Sequence, residues 1–364
     1  MGKRKNRLKS LTYLLLCGVL LVYVLVEARN FLYPIFMALL FSYLLYPVVK
    51  RLEAWGMPRI FANLVTILAG MAVFVGLVVL LYTQLSVFLR DFPALQKQAL
   101  GNIDRLQHTI DQALGNNNLE DEQWLRHQVK NAFELSGGFL ADLLLGMTNT
   151  ITKFGLMPVY IFLMLFYRNK FENVVYRQLP AQAHARTSKI IAEISHVTRR
   201  YMSGVVLVIL VLCVINSVGL LLIGLQYAIM LGVLSALMNF IPYFGTLIGG
   251  AIPLLYALLV QGSPQKAFWV LLLFLLVQFT ENNILTPNIT GSKVSINPMF
   301  TILSIIVGGM LWGLPGMFVA VPLLGMFKVY CDHSESMRAW AYLLGTEGTE
   351  EHALTFSKLK QWFR

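Results

Sequence analysis

The sequence predicts an all-α polytopic membrane protein with about eight transmembrane helices, including broken or re-entrant helices in the C-terminal half. Long apolar runs, the absence of alternation within them and a low charge content predict this fold class. Hydrophobic residues make up 57% and charged residues 13% of the chain, whereas soluble domains carry roughly 25% charged residues. A transmembrane barrel would alternate apolar and polar residues over about 10 positions, and these runs do not alternate.

The apolar runs set the order of the predicted spans. Most of them come close to or exceed the ~20 residues that cross a hydrocarbon core of about 30 Å. They lie at residues 11–27, 31–49, 61–89, 143–167, 203–225, 227–260, 267–285 and 299–327. The first run has no small-residue cleavage site after it, so we expect a retained helix and not a cleaved signal peptide.

The distribution of polar segments divides the chain into five predicted regions. They are a basic cytoplasmic N-terminus at 1–10, three transmembrane helices at 11–89, an extracytoplasmic amphipathic helical insert at 90–142, five transmembrane passes with a cytoplasmic linker at 168–202 in 143–330, and a cytoplasmic tail at 331–364.

Two of these regions have amphipathic patterns. In the insert, apolar residues such as Leu95, Ala99 and Ile103 recur at helical spacing, and a second helix is predicted to start near Asp121. Their stripes are expected to pack on each other, on the spans or on another subunit, with a ligand-binding lid as the alternative. The linker is predicted to be helical with a break at Pro180, and its apolar stripe beside basic residues is typical of a helix on a membrane surface.

The chain has a net charge of +11, and the distribution of its charged residues agrees with the predicted topology. Basic residues cluster before the first span, around residues 50–59 and at 168–200, all of which fall inside if the N-terminus is cytoplasmic and eight spans alternate. Acidic residues outnumber basic ones in the insert. We therefore expect a multi-pass protein of the bacterial inner membrane with both termini cytoplasmic. Its basic residues are expected to contact lipid and not nucleic acid.

Familiar enzyme and metal patterns are missing from the sequence. It contains no HExxH, GxSxG, GxxxxGK[ST] or GxGxxG motif. Cys17, Cys213 and Cys331 are far apart, and His184 and His196 have no acid or cysteine at ligand spacing. We expect neither enzymatic activity nor a cofactor nor a metal site.

The apolar segment 227–260 contains the first predicted helix break. As one straight helix it would extend about 51 Å, well beyond the hydrocarbon core. The break is expected where Pro242 ends one half and Gly245 supplies the turn, since irregular backbone at membrane depth is tolerated only under protein cover or beside a wet cavity. Asn239, Tyr243 and Thr246 would offer polar groups there to a substrate. Gly249 and Gly250 belong to the same break and would allow close helix approach.

Two further breaks follow toward the C-terminus. The segment 278–298 is expected to break at Pro287, and the last span at Pro315 and Gly316, with tight packing through Gly308 and Gly309 as the alternative there. Polar side chains of the first of these segments complete the predicted substrate-binding residues. They are Gln278, Glu281, Asn282, Asn283 and Asn288.

Glu281 leaves three roles open. A carboxylate in an apolar span is rare and suggests a solute or coupling-ion ligand. It is alternatively a structural partner of Lys153, the only basic residue well inside a predicted span, or a solvated helix cap.

The segments "NFIPYFGTLIGGAIP", "ENNILTPNITGSKVSINP" and "LWGLPGMFVAVPLLGMFKVY" together resemble the autoinducer-2 exporter family of PerM-like permeases, along nearly the whole chain. The resemblance implies a helical bacterial inner-membrane protein that forms homo-oligomers, pentameric in some members. It also implies export of small molecules, with the furanone-derived quorum-sensing signal autoinducer-2 as the named substrate. Other members resemble sodium or lithium/proton antiporters.

These observations predict a secondary transporter that exports a small polar solute by alternating access, without ATP. A sodium or lithium/proton antiporter that uses Glu281 is the first alternative, and H⁺ or Na⁺ is then the coupling ion. A non-transporting membrane scaffold that acts through the insert is the second.

Overall fold

The computed structural model describes residues 2–114, 119–239, 244–289 and 296–346; some helical side chains in these ranges, such as those at 2–11 and 147–154, lie outside the description. The described residues form helices and turns, with one isolated β-bridge between Ile296 and Gly345. The helices are α1 (Gly2–Glu27), α2 (Arg29–Ala54), α3 (Arg59–Leu114), α4 (Leu119–Lys153), α5 (Met157–Phe166), α6 (Arg168–Arg177), α7 (His184–Ile223), α8 (Ala228–Met238), α9 (Phe244–Leu255), α10 (Pro264–Thr280), α11 (Thr286–Ile289), α12 (Pro298–Trp312), α13 (Leu314–His333) and α14 (Arg338–Leu344).

Five of the described helical stretches are long and apolar enough to cross a membrane. They are Arg29–Ala54, Arg59–Arg105, Ala181–Ile223, Pro264–Leu285 and Leu314–His333. Shorter apolar helices accompany them, among them α8 and α12. The prediction of an all-α polytopic membrane protein is confirmed.

The insert is continuous with the spans beside it. The third span and the first insert helix form the single helix α3 of 56 residues, about 84 Å long. The second insert helix likewise continues in α4 beyond residue 142. Leu95, Ala99 and Ile103 are buried, as their spacing predicts.

The chain forms two compact units. The first comprises Met1–Arg51, Tyr160–Met202 and Gly291–Arg364, and the second comprises Leu52–Val159 and Ser203–Thr290. Each unit is assembled from segments distant in sequence.

Two successive helices, α12 and α13, pack along each other in the first unit. The turn between them is at Gly313, whose φ of 67° favours glycine. Pro315 therefore lies in the first turn of α13, where a missing N–H costs little. A Cβ added at Gly316 would lie 2.0 Å from the Gly308 carbonyl oxygen, so the glycines permit direct backbone contact. The predicted eighth span turns back at Gly313, and Pro315 and Gly316, where the break was predicted, lie at the start of α13.

Polar contacts also join other segments of the first unit. The Trp312 indole N–H donates to the Leu25 carbonyl oxygen at 2.9 Å.

The linker has the predicted break, because Pro180 has an extended backbone between α6 and α7. The linker part of α7 contacts the end of α13, since His333 Nε2 lies 3.2 Å from a Glu193 carboxylate oxygen and the Arg186 guanidinium donates to the His333 carbonyl oxygen.

The second unit has a hydrophobic core around α8 and α9. Leu220, Leu231, Ala257 and Val270 are among its fully or almost fully buried residues. This core supports the segment 227–260, which carries part of the candidate site.

Candidate functional site

The candidate site lies at the closed end of a helical hairpin formed by α8 and α9. The two helices pack against each other, and the Ser235 hydroxyl on α8 donates to the Gly249 carbonyl oxygen on α9 at 2.5 Å. α8 has 11 residues, so it extends about 17 Å, roughly half of the hydrocarbon core. α8 ends at Met238 and α9 begins at Phe244, so Gly245, which was predicted to supply the turn, lies in the first turn of α9. Pro242 and Tyr243 lie outside the described residues.

Glycines allow the two halves of the hairpin to touch. A Cβ at Gly245 would lie 1.9 Å from the Met238 carbonyl oxygen, and one at Gly249 would lie 2.7 Å from that of Ser235. Gly250 faces the Phe274 ring. Gly249 and Gly250 lie inside α9, so the prediction that they break the helix is wrong, whereas the close approach expected of them is present.

The second segment of the site is α10 together with the residues that follow it. Ser263 caps α10 by accepting a hydrogen bond from the Lys266 backbone N–H. The chain then continues through a π-helical turn at Glu281–Leu285 into α11. Pro287 lies within α11, so the predicted break at this proline is wrong. The π-helical turn lies just before Pro287, because a proline within a helix disturbs the backbone of the preceding turn.

Asn239 and Glu281 meet at the closed end of the hairpin. The Asn239 side-chain amide donates to a Glu281 carboxylate oxygen at 3.1 Å, and both residues are half-buried. The Asn239 Oδ1 atom is buried and has no hydrogen-bond partner among the described residues. No ion pair to Glu281 occurs among them either. The Lys153 side chain lies outside the description, so its pairing with Glu281 stays a prediction.

The side chains of the other predicted site residues have no described hydrogen bond to Asn239 or Glu281. Gln278 is half-buried one turn before Glu281. Asn282, Asn283 and Asn288 are exposed, and the Asn283 amide donates to the Phe279 carbonyl oxygen of its own helix at 2.8 Å. Thr246 lies in the first turn of α9, with its side chain outside the description. The structure thus brings together Asn239 and Glu281 and leaves the three other asparagines exposed.

Sequence reasoning missed several buried polar residues of the second unit. Asn216 on α7 is 2% exposed, and its Oδ1 has no partner among the described residues. The neighbouring Ser217 hydroxyl is 3.5 Å from the Ile229 carbonyl oxygen of α8. Asn63 is fully buried, and neither of its amide atoms has a described partner. Asparagines inside apolar spans were the available signal, since such residues form contacts between membrane helices.

The chemistry of the pair follows from its surroundings. A half-buried carboxylate beside a neutral amide is stable when it holds a proton, a cation or a hydrogen-bond donor of a ligand. The Asn239 Oδ1, which lacks a partner in the described part of the chain, adds a second acceptor. The arrangement can therefore bind a small cation or a polar solute rich in donors.

Comparison with known proteins identifies the family of the chain. Residues 13–336 match the model of the AI-2E family transporters. The chain is 29% identical over 314 residues to the "Putative transport protein YrrI" of Bacillus subtilis, with 84% of this chain and 87% of that protein covered. It is 25% identical over 337 residues to the "AI-2 transport protein TqsA" of Escherichia coli, with 91% and 92% covered. The family match spans most of the chain, and the chain therefore belongs to the AI-2E family of transporters.

Proposed function

We propose that this membrane transporter exports a small polar solute by alternating access and that Asn239 and Glu281 bind the solute. One observation carries the proposal: the half-buried Glu281 carboxylate accepts a hydrogen bond from the Asn239 amide at the end of α8, and the buried Asn239 Oδ1 has no partner among the described residues. Discontinuous helices at membrane depth are a common way to build a transporter site. Membership of a transporter family supports transport over a scaffolding role.

The substrate class follows from the acceptors at the site. A small molecule with several hydroxyl groups would donate to the carboxylate and to the Asn239 oxygen. The name of the TqsA relative supports testing AI-2 as this molecule. We place the protein in the bacterial inner membrane, with both termini cytoplasmic and as a homo-oligomer, on the strength of the charge distribution and the family resemblance.

The second candidate function is sodium or lithium/proton antiport. The same two oxygens favour it, because carboxylate and amide oxygens are hard ligands for small cations. In this case Glu281 would exchange a proton for the cation during each cycle.

The test is transport by the purified protein in liposomes. Uptake of AI-2 and of radiolabelled sodium is measured with and without a pH gradient, for the wild type and for Glu281→Gln. Glu335→Gln is the matched control, since Glu335 is an exposed carboxylate of the other unit. We expect Glu281→Gln to abolish flux or its pH dependence and the control to transport normally. Normal flux and pH dependence in Glu281→Gln would remove this residue from the site.

A further inference from the structure

The α8–α9 hairpin is bonded to one face of α3 at two points, both at the same end of the hairpin. We define the open end of the hairpin as Tyr227, where α8 begins, together with the π-helical turn Tyr256–Val260, which follows α9. Asn239 lies at the opposite, closed end. α3 contacts both α8 and this π-helical turn.

The first bond involves an unusual backbone conformation. Tyr227 has φ 55° and ψ 26°, and it is the one non-glycine residue with positive φ in the described part of the chain. Such a conformation persists only where its surroundings hold it. The Tyr227 hydroxyl donates to the Asp91 carboxylate of α3 at 2.5 Å. Its ring stands edge-on to Phe88 of α3 and to Tyr256 at the other side of the open end.

The second bond is made by Asn102 of α3. Its side-chain amide nitrogen lies 3.0 Å from the Leu259 carbonyl oxygen and 2.7 Å from the Val260 carbonyl oxygen, and donates to both. These are terminal carbonyls of a helix, which lack partners within the helix itself. A Cβ at Gly262 would lie 2.8 Å from the Asn102 side chain, so the turn after Val260 rests directly on this amide.

The two bonding residues are in register along α3. Asp91 and Asn102 are eleven positions apart, close to three helical turns, so they share one face about 17 Å apart. Leu95 and Ala99 lie between them on that face and are buried in the core shared with Tyr256 and Val260. The helix is continuous from the predicted third span through this region.

We propose that Asp91 and Asn102 are positioning residues that clamp the open end of the hairpin to α3 and so hold Asn239 against Glu281. The inference rests on the proposed function of the Asn239–Glu281 pair. Because α3 is continuous, the part of the insert that it carries and the hairpin would then move together. The insert would thereby control the geometry of the binding site.

Hydrogen exchange measured by mass spectrometry tests the clamp without any transport assay. The variants are Asn102→Ala and Tyr227→Phe, the second of which removes only the hydroxyl that bonds to Asp91. Gln98→Ala is the control, an exposed residue one turn before Asn102 on the same helix. The full-length protein is used, and peptides from α12 and α13 in the other unit serve as the internal reference.

We expect exchange in the hairpin peptides to increase about five- to thirty-fold in both variants, the change that corresponds to losing one or two kcal/mol of local stability. Gln98→Ala and the reference peptides should be unchanged. The variants should also show reduced flux of whichever probe, AI-2 or sodium, the wild type transports.

Unchanged hairpin exchange in both variants would overturn the clamp. Faster exchange with normal flux would overturn its positioning role. If Glu281→Gln transports normally, the proposed function fails independently of the exchange results. Should Asn102→Ala not accumulate as folded protein, Tyr227→Phe decides alone, because it retains the aromatic ring and its packing.

Discussion

The side-chain amide of Asn239, at the end of α8, donates a hydrogen bond of 3.1 Å to the carboxylate of Glu281, at the end of α10. The two residues are 42 positions apart in the sequence. Each lies where regular α-helical geometry ends, Asn239 before the closed end of the hairpin and Glu281 at the first position of a π-helical turn. The stability of this pair can be tested separately from transport.

Asn239→Leu is expected to destabilise the protein more than Glu281→Gln does. Leucine leaves the half-buried carboxylate without its described donor, which costs about 1–3 kcal/mol. Glutamine keeps an acceptor oxygen for Asn239, so its Tm should stay close to that of the wild type. The Tm of each variant is measured by heating the protein in detergent and determining the remaining folded fraction by size-exclusion chromatography. The double change Asn239→Leu with Glu281→Leu should recover part of the loss, and a wild-type Tm for Asn239→Leu would contradict this account.

Gly245→Ala should lower flux per molecule more than it lowers protein abundance. The added Cβ would lie 1.9 Å from the Met238 carbonyl oxygen, so the two halves of the hairpin must move apart, at a cost of about 1–3 kcal/mol. Gly76→Ala is the control, because a Cβ there meets nothing within 4 Å. Flux in liposomes is normalised to the amount of folded protein. Equal normalised flux in both variants would show that the contact serves packing only.

Gly308→Ala should be much more harmful than Gly309→Ala, although the two glycines are neighbours on α12. A Cβ at Gly308 would lie 2.4 Å from the Gly316 carbonyl oxygen, whereas one at Gly309 meets the flexible Met317 side chain. Backbone atoms cannot move aside as a methionine does. The Tm and the yield of monodisperse protein should fall for the first variant and stay near wild type for the second. Equal losses would contradict the backbone contact.

Cysteine labelling in intact cells is expected to modify position 115 and to spare position 185. Gly115→Cys and Ala185→Cys are introduced into a chain without Cys17, Cys213 and Cys331, and a membrane-impermeant maleimide is applied. The charge distribution predicts that the insert is outside and the linker inside. A protected position 115 with a reactive position 185 would reverse the proposed orientation. Lysed cells, in which both positions should react, control for access.

Much of the candidate site was predictable because its signals are local. Asn239, Glu281 and the neighbouring proline and glycine positions stand out as polar or helix-breaking residues in apolar runs. The asparagines at 282, 283 and 288 share that signal but are exposed. The π-helical turn at Glu281–Leu285 sets which face of the helix each of these side chains occupies. No simple sequence pattern predicts such a turn.

The bonds of Asp91 and Asn102 could not have been derived from the sequence. The sequence places both residues in the predicted polar insert and does not indicate which segments its helix packs against. Their partners, Tyr227 and the carbonyl groups of Leu259 and Val260, are more than 100 positions away. A backbone carbonyl in particular carries no residue-specific signal.

That the chain is a helical membrane protein with helix-breaking residues in its C-terminal half could be inferred from its residues alone, because span length, hydropathy and helix breakers are properties of single segments. The pairing of α8 with α9, the return of α12 along α13 and the continuation of α3 into the insert became visible only in the folded chain. A proline or glycine shows where a helix can break and leaves the direction of the next helix open. That direction is set by contacts between segments, such as the approach of Gly245 to Met238 and of Gly316 to Gly308.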